Sequence, residues 1–142
     1  NYQHVQGQYN QTSSTALMLV GDGTDESTRH NILEVYSGSV VVSGSLKNTG
    51  GLTISTKCVT GNYTLTASND HVVAFSGSNL TASLPSALSN AGSTFVIKNN
   101  HTTNLRITSS MGGLIDGQTY AVIDRQYNSY KIVSDGIDWL VI

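Results

Sequence analysis

Within six residues the chain places a guanidinium, two phenol rings and an amide: Arg125, Tyr127, Asn128 and Tyr130. Flat rings stack on the C–H faces of sugars while amides and charged donors meet the hydroxyls, so this candidate turn carries chemistry suited to a saccharide. A second polar stretch, Asn99-Asn100-His101-Thr102-Thr103-Asn104, is dense in short hydrogen-bonding side chains, and Asn100 and His101 join the first group as candidate ligand contacts. Both stretches also read as ordinary solvated hairpin loops.

Catalytic chemistry is poorly represented. Glycoside cleavage needs two carboxylates held across a sugar bond, whereas the acids here sit mainly in turns. Asp22, Asp25 and Glu26 form the one acidic cluster, open to reading as a calcium site, a catalytic pair or a solvated loop paired with Arg29. Asp116 and Asp135 each precede a glycine, the position at which an aspartate satisfies turn backbone. His4, His30, His71 and His101 show no zinc spacing within one chain. No Gly-x-Ser-x-Gly elbow occurs. The single cysteine, Cys58, has no intrachain disulfide partner and reads as a small buried apolar residue. No enzyme activity, metal or cofactor is expected from these residues.

Composition narrows the partners. Charged residues are 11% of the 142, the formal net charge is −2, and serine and threonine supply about a quarter of the chain. Seven basic residues without a cluster do not make a phosphate-binding surface, which argues against nucleic acid. No apolar run approaches the length of a membrane span, and the start Asn1-Tyr2-Gln3-His4 lacks signal-peptide features; a start without methionine reads as part of something longer. Four glycosylation sequons, at Asn10, Asn62, Asn79 and Asn100, are what chance produces in so Asn- and Thr-rich a chain.

The elements that must position the polar loops are strands. Short apolar bursts recur every 8–12 residues or so, separated by Gly, Asn, Asp and Ser, the rhythm of a sandwich or barrel. Residues 52–54, 63–66, 80–84 and 105–108 alternate apolar and polar and predict half-buried antiparallel strands. Residues 16–20, 40–42, 72–75, 95–97 and 139–142 are continuously apolar and predict strands covered on both sides, the second cover being available from a partner subunit. Trp139, in the last of these, is expected inside. Pro85 and Gly92 bracket a short turn or single 3₁₀ turn. Texture divides the chain at residues 57–61. Residues 1–58 have apolar bursts too sparse to close a private core, and predict an interwoven stalk; residues 59–142 predict an antiparallel β-sandwich or prism-like head.

Leu84-Pro85-Ser86-Ala87, the run Gly92-Ser93-Thr94-Phe95-Val96-Ile97-Lys98-Asn99, Ile115-Asp116-Gly117, and the closing Val133-Ser134-Asp135-Gly136-Ile137-Asp138-Trp139-Leu140-Val141-Ile142 together resemble a module at the C-termini of bacteriophage tail fibres and tailspikes. Leu140 and Asp138 depart from that pattern, which more often has an aromatic and an asparagine at these places. Residues 16–24 and 27–36 resemble, over a shorter span, a trimeric fibre-shaft repeat. The resemblance implies an all-β homotrimer on the virion tail, extracellular when functional, whose head attaches to bacterial surface polysaccharide or lipopolysaccharide without entering a membrane. It equally admits a purely structural trimerisation clamp below a depolymerase domain. A depolymerase working through acids shared between subunits is a third reading.

Overall fold

The computed structural model describes residues 4–8 and 10–142, Gln8 through its backbone alone. Every regular element among the described residues is a strand, thirteen in all, and the chain divides into two compact units, residues 1–52 and 53–142. The divide precedes the expected one because residues 56–59 hydrogen-bond to a strand of the second unit.

The first unit is one four-stranded sheet built in chain order from β1 (His4–Gln8), β2 (Met18–Asp22), β3 (Asn31–Val35) and β4 (Val40–Val42). β1 runs parallel to β2, and the other two pairs are antiparallel. Gly7 and Gly21 face each other across the parallel pair; Gly7 has φ +94° and a Cβ there would lie 2.2 Å from the Gly21 carbonyl oxygen, so neither strand tolerates a side chain at that crossing. Only Ala16 and Leu19 are buried apolar residues among those described in this unit. The buried amide of Asn31 compensates in part, donating to the Gln11 carbonyl and to Glu34 and accepting from the Gln11 N–H. All three valines of β4 are exposed, Val40 at 61%. Among the described residues of this unit none buries these three side chains.

The second unit holds β5 (Thr56–Val59), β6 (Tyr63–Thr64), β7 (Val72–Phe75), β8 (Thr81–Leu84), β9 (Thr94–Asn99), β10 (Leu105–Ser109), β11 (Tyr120–Ile123), β12 (Ser129–Ser134) and β13 (Trp139–Val141). They form a five-stranded sheet, ordered β13-β12-β9-β7-β5, and a four-stranded sheet, ordered β11-β10-β8-β6. The expected antiparallel head is corrected here: β5, β7 and β9 are parallel neighbours in one sheet, β6, β8 and β10 are parallel neighbours in the other, and only the pairs involving β11, β12 and β13 are antiparallel. Parallel strands need a long crossover, commonly a helix. Here each crossover is itself a strand of the opposite sheet, so the chain winds through successive two-strand coils before hairpins close the stack.

This winding places one face of each strand inside. Val73 and Phe75, Phe95 and Ile97, Ile132 and Trp139 from one sheet meet Ala82 and Leu84, Leu105 and Ile107, and Ile123 from the other in a single buried cluster. Val72, Ala74 and Val96, on the outer faces of β7 and β9, are half-buried, so the apolar bursts are not fully enclosed as anticipated. Phe95 and Trp139 pack with ring centroids 5.5 Å apart, and the indole N–H donates to the Pro85 carbonyl. Residues 85–93 form turns with no helix.

Three further expectations change. Residues 52–54 are exposed on both sides and form no strand, because no neighbour offers them a ladder. Cys58 is exposed: alternation along β5 sends half-buried Val59 against the core and turns the thiol outwards, 3.1 Å from the Ser76 hydroxyl. Arg29 donates to the Asn10 carbonyl rather than pairing with the neighbouring acids, and Asp22 pairs instead with His30 at 2.6 Å.

Candidate functional site

The coiled topology sorts the connections of the second unit by end. Residues 60–62, 76–80, 100–104 and 124–128 join strands at one end; residues 65–71, 85–93, 110–119 and 135–138 lie at the other. The polar candidate residues named from sequence fall in the first set, apart from Tyr130.

Asn99, last residue of β9 and buried, knits that end together. Its N–H donates to the Asn128 carbonyl and its carbonyl accepts from the Tyr127 N–H. Its side-chain amide donates to the Thr103 and Ile123 carbonyls, while the amide oxygen accepts from the His101 N–H. Gln126 closes the gap from the other side by donating to the Asn100 carbonyl. The loops at 100–104 and 124–128 are therefore one hydrogen-bonded surface. Thr103 extends it to a third loop, its hydroxyl accepting from the Asn79 N–H.

On this surface Tyr127 stands 65% exposed with φ +68°, a left-handed conformation unfavourable for a residue with a side chain. Lys98 holds it there, donating to the Tyr127 carbonyl at 2.8 Å with its ammonium 5.8 Å from the ring centroid. His101 accepts from the Thr103 N–H at Nδ1, which leaves Nε2 as the ring's donor. Arg125 and Asn128 are exposed in the turn beside Tyr127. Tyr130 separates from the group: half-buried against the core, it donates its hydroxyl to the Val122 carbonyl and ties β12 to β11 across the sandwich.

Sequence reasoning missed a neighbouring feature. The outer face of the four-stranded sheet carries a shallow groove of ≈ 380 Å³ lined by Asn79, Leu80, Thr81, Asn104, Arg106 and Val122. Arg106 lies over the Tyr120 ring, Cζ 4.3 Å from its centroid. Arg106 and Tyr120 are fourteen residues apart, and none of the apolar bursts read from the sequence includes Tyr120. Only the β10–β11 register, which sets Arg106 opposite Val122 and Thr108 opposite Tyr120, brings them into diagonal contact.

Most carboxylates of this unit serve its backbone. Asp135 accepts from the Ile137 and Asp138 N–H groups, bonds that hold its carboxyl below the ordinary value. Asp138 accepts from the Leu114 N–H and Asp116 from the Val141 N–H. Asp70, buried at the end away from the polar loops, accepts from Lys57, Tyr63, and both the N–H and hydroxyl of Thr66. Burial pushes its carboxyl up, but the Lys57, Thr66 and Tyr63 hydrogen bonds outweigh this and hold it below its ordinary value. In the first unit Asp25 accepts from Ser27 and Thr28 in its own turn. No group of three or more His, Cys, Asp or Glu among the described residues is arranged to hold a metal ion.

Comparison with protein-family models, curated proteins and solved structures finds no match to this chain.

Proposed function

We propose that this chain is a non-enzymatic module of a bacteriophage tail fibre or tailspike that attaches to a bacterial surface glycan. The observation that carries this reading is the continuous polar surface organised by Asn99, on which Tyr127 is exposed among Asn100, His101, Arg125 and Asn128. An exposed ring amid fixed amides and donors suits a sugar's alternating C–H and hydroxyl faces. Asp70, Asp116, Asp135 and Asp138 each accept a backbone N–H and so have a structural task in turns and strand ends, which supports a binding role over acid–base chemistry.

Retention of purified lipopolysaccharide and capsular polysaccharide on immobilised protein tests the reading. Tyr127→Ala is expected to weaken binding by about tenfold, in line with the loss of one stacked ring, with an unchanged thermal midpoint because the ring is exposed. Full retention by the variant would remove Tyr127 from the contact surface.

A second reading, a clamp that registers three chains, draws on the exposed apolar β4. Three exposed valines in a unit this small are suited to burial against copies of the same strand. Light scattering is expected to report a trimer, and Val41→Glu to shift it to monomer; a monomeric wild-type chain would rule out the interwoven stalk.

A further inference from the structure

We infer that the groove beside Arg106 takes a carboxylate-bearing sugar, a uronate or an equivalent acidic unit, an inference that rests on the glycan-binding reading and specifies its ligand class. The guanidinium of Arg106 is exposed, makes no hydrogen bond to another described residue and has no carboxylate oxygen within 4.0 Å. Asp124, exposed just beyond β11, is not paired with it. Arg106 is nevertheless positioned, because stacking on Tyr120 restrains a side chain that would otherwise sample many rotamers. A guanidinium centred over a ring, with no hydrogen bond to another described residue, keeps its N–H donors available, and its forked edge matches a carboxylate through two parallel hydrogen bonds.

The rest of the groove suits the remainder of a sugar ring. Leu80 and Val122 supply apolar surface for C–H groups, and the exposed side-chain amides of Asn79 and Asn104 offer donors and acceptors to hydroxyls. Asn79 is set in place by a left-handed backbone, φ +53°, and by the bond from its N–H to Thr103. The same Thr103 belongs to the loop knit by Asn99, so the groove continues the polar end.

The test is an NMR titration of the full chain with galacturonate, glucuronate and mannuronate trisaccharides, each alongside its methyl ester, following the Arg106 Nε–H and Tyr120 ring resonances. At least one acid form is expected to move both resonances and to bind about tenfold or more tightly than its ester, with binding weakening as salt rises. Arg106→Lys keeps the charge but loses the fork and the stacking; it and Tyr120→Ala are each expected to lose about tenfold or more in affinity. Equal binding of acid and ester, or an unaffected Arg106→Gln, would overturn the acidic-sugar assignment while leaving glycan binding intact. Inorganic phosphate moving Arg106 as strongly as the uronates would overturn the saccharide assignment in favour of a simple anion site. No binding of any of the three uronates in either form would overturn this inference, and retention of lipopolysaccharide or capsular polysaccharide by the same protein decides separately whether the glycan-binding reading beneath it stands.

Discussion

Trp139→Ala is expected to destabilise the C-terminal unit by about 3–5 kcal/mol, the range for emptying a large aromatic from a packed core. The indole is fully buried, stacks obliquely on Phe95 and donates to the Pro85 carbonyl, so truncation removes packing and leaves a carbonyl without its donor. In a unit of this size the thermal midpoint should fall by on the order of 20 °C. Trp139→Phe, which keeps most of the volume but not the N–H, should fall by clearly less. Calorimetry of both variants checks this, and a Trp139→Ala midpoint close to wild type would mean that the two sheets do not share the core described.

Asp70→Ala is expected to cost about 2–3 kcal/mol, below the usual figure for breaking a buried pair because Lys57 is half out in water and rehydrates easily. The carboxylate side chain is wholly buried and accepts from three residues, so removing it leaves the Thr66 N–H and the Tyr63 hydroxyl without their acceptor. The pH dependence follows from the direction of the shift. Asp70 ionises more readily folded than unfolded, so its contribution is complete above the ordinary value of 3.8 and is lost as the pH falls through the lower folded value. Lys57 is shifted upward, chiefly by its hydrogen bonds to Tyr63 and Asp70, so its share holds below 10.5 and is lost above. Denaturant midpoints of wild type and Asp70→Asn measured from pH 2 to 7 should converge at the acid end. A constant gap across that range would exclude Asp70 as the titrating group.

The two polar loops proposed to contact a sugar were legible because their residues are close in sequence: Tyr127 and Asn128 lie beside Arg125, and His101 beside Asn100. Arg106 and Tyr120 were not, since they lie fourteen residues apart and meet only through strand register. Tyr130 was grouped with Tyr127 by spacing alone. An odd number of residues between Tyr127 and the strand does not reveal that β12 turns Tyr130 towards the Val122 carbonyl.

An all-β chain nearly devoid of helix, the position of most strands and the burial of Trp139 are legible in the sequence, because alternation and turn residues are local properties that each strand carries alone. Which strands pair was decided by the tertiary structure. A burst such as Val72–Phe75 has the same pattern whether its neighbour is a hairpin partner or a strand a full coil away, and Thr56, Val72 and Val96 come side by side at unequal spacings that leave no repeat to read. That coiling, which no local pattern encodes, is what gathers the polar loops at one end and sets Arg106 upon Tyr120.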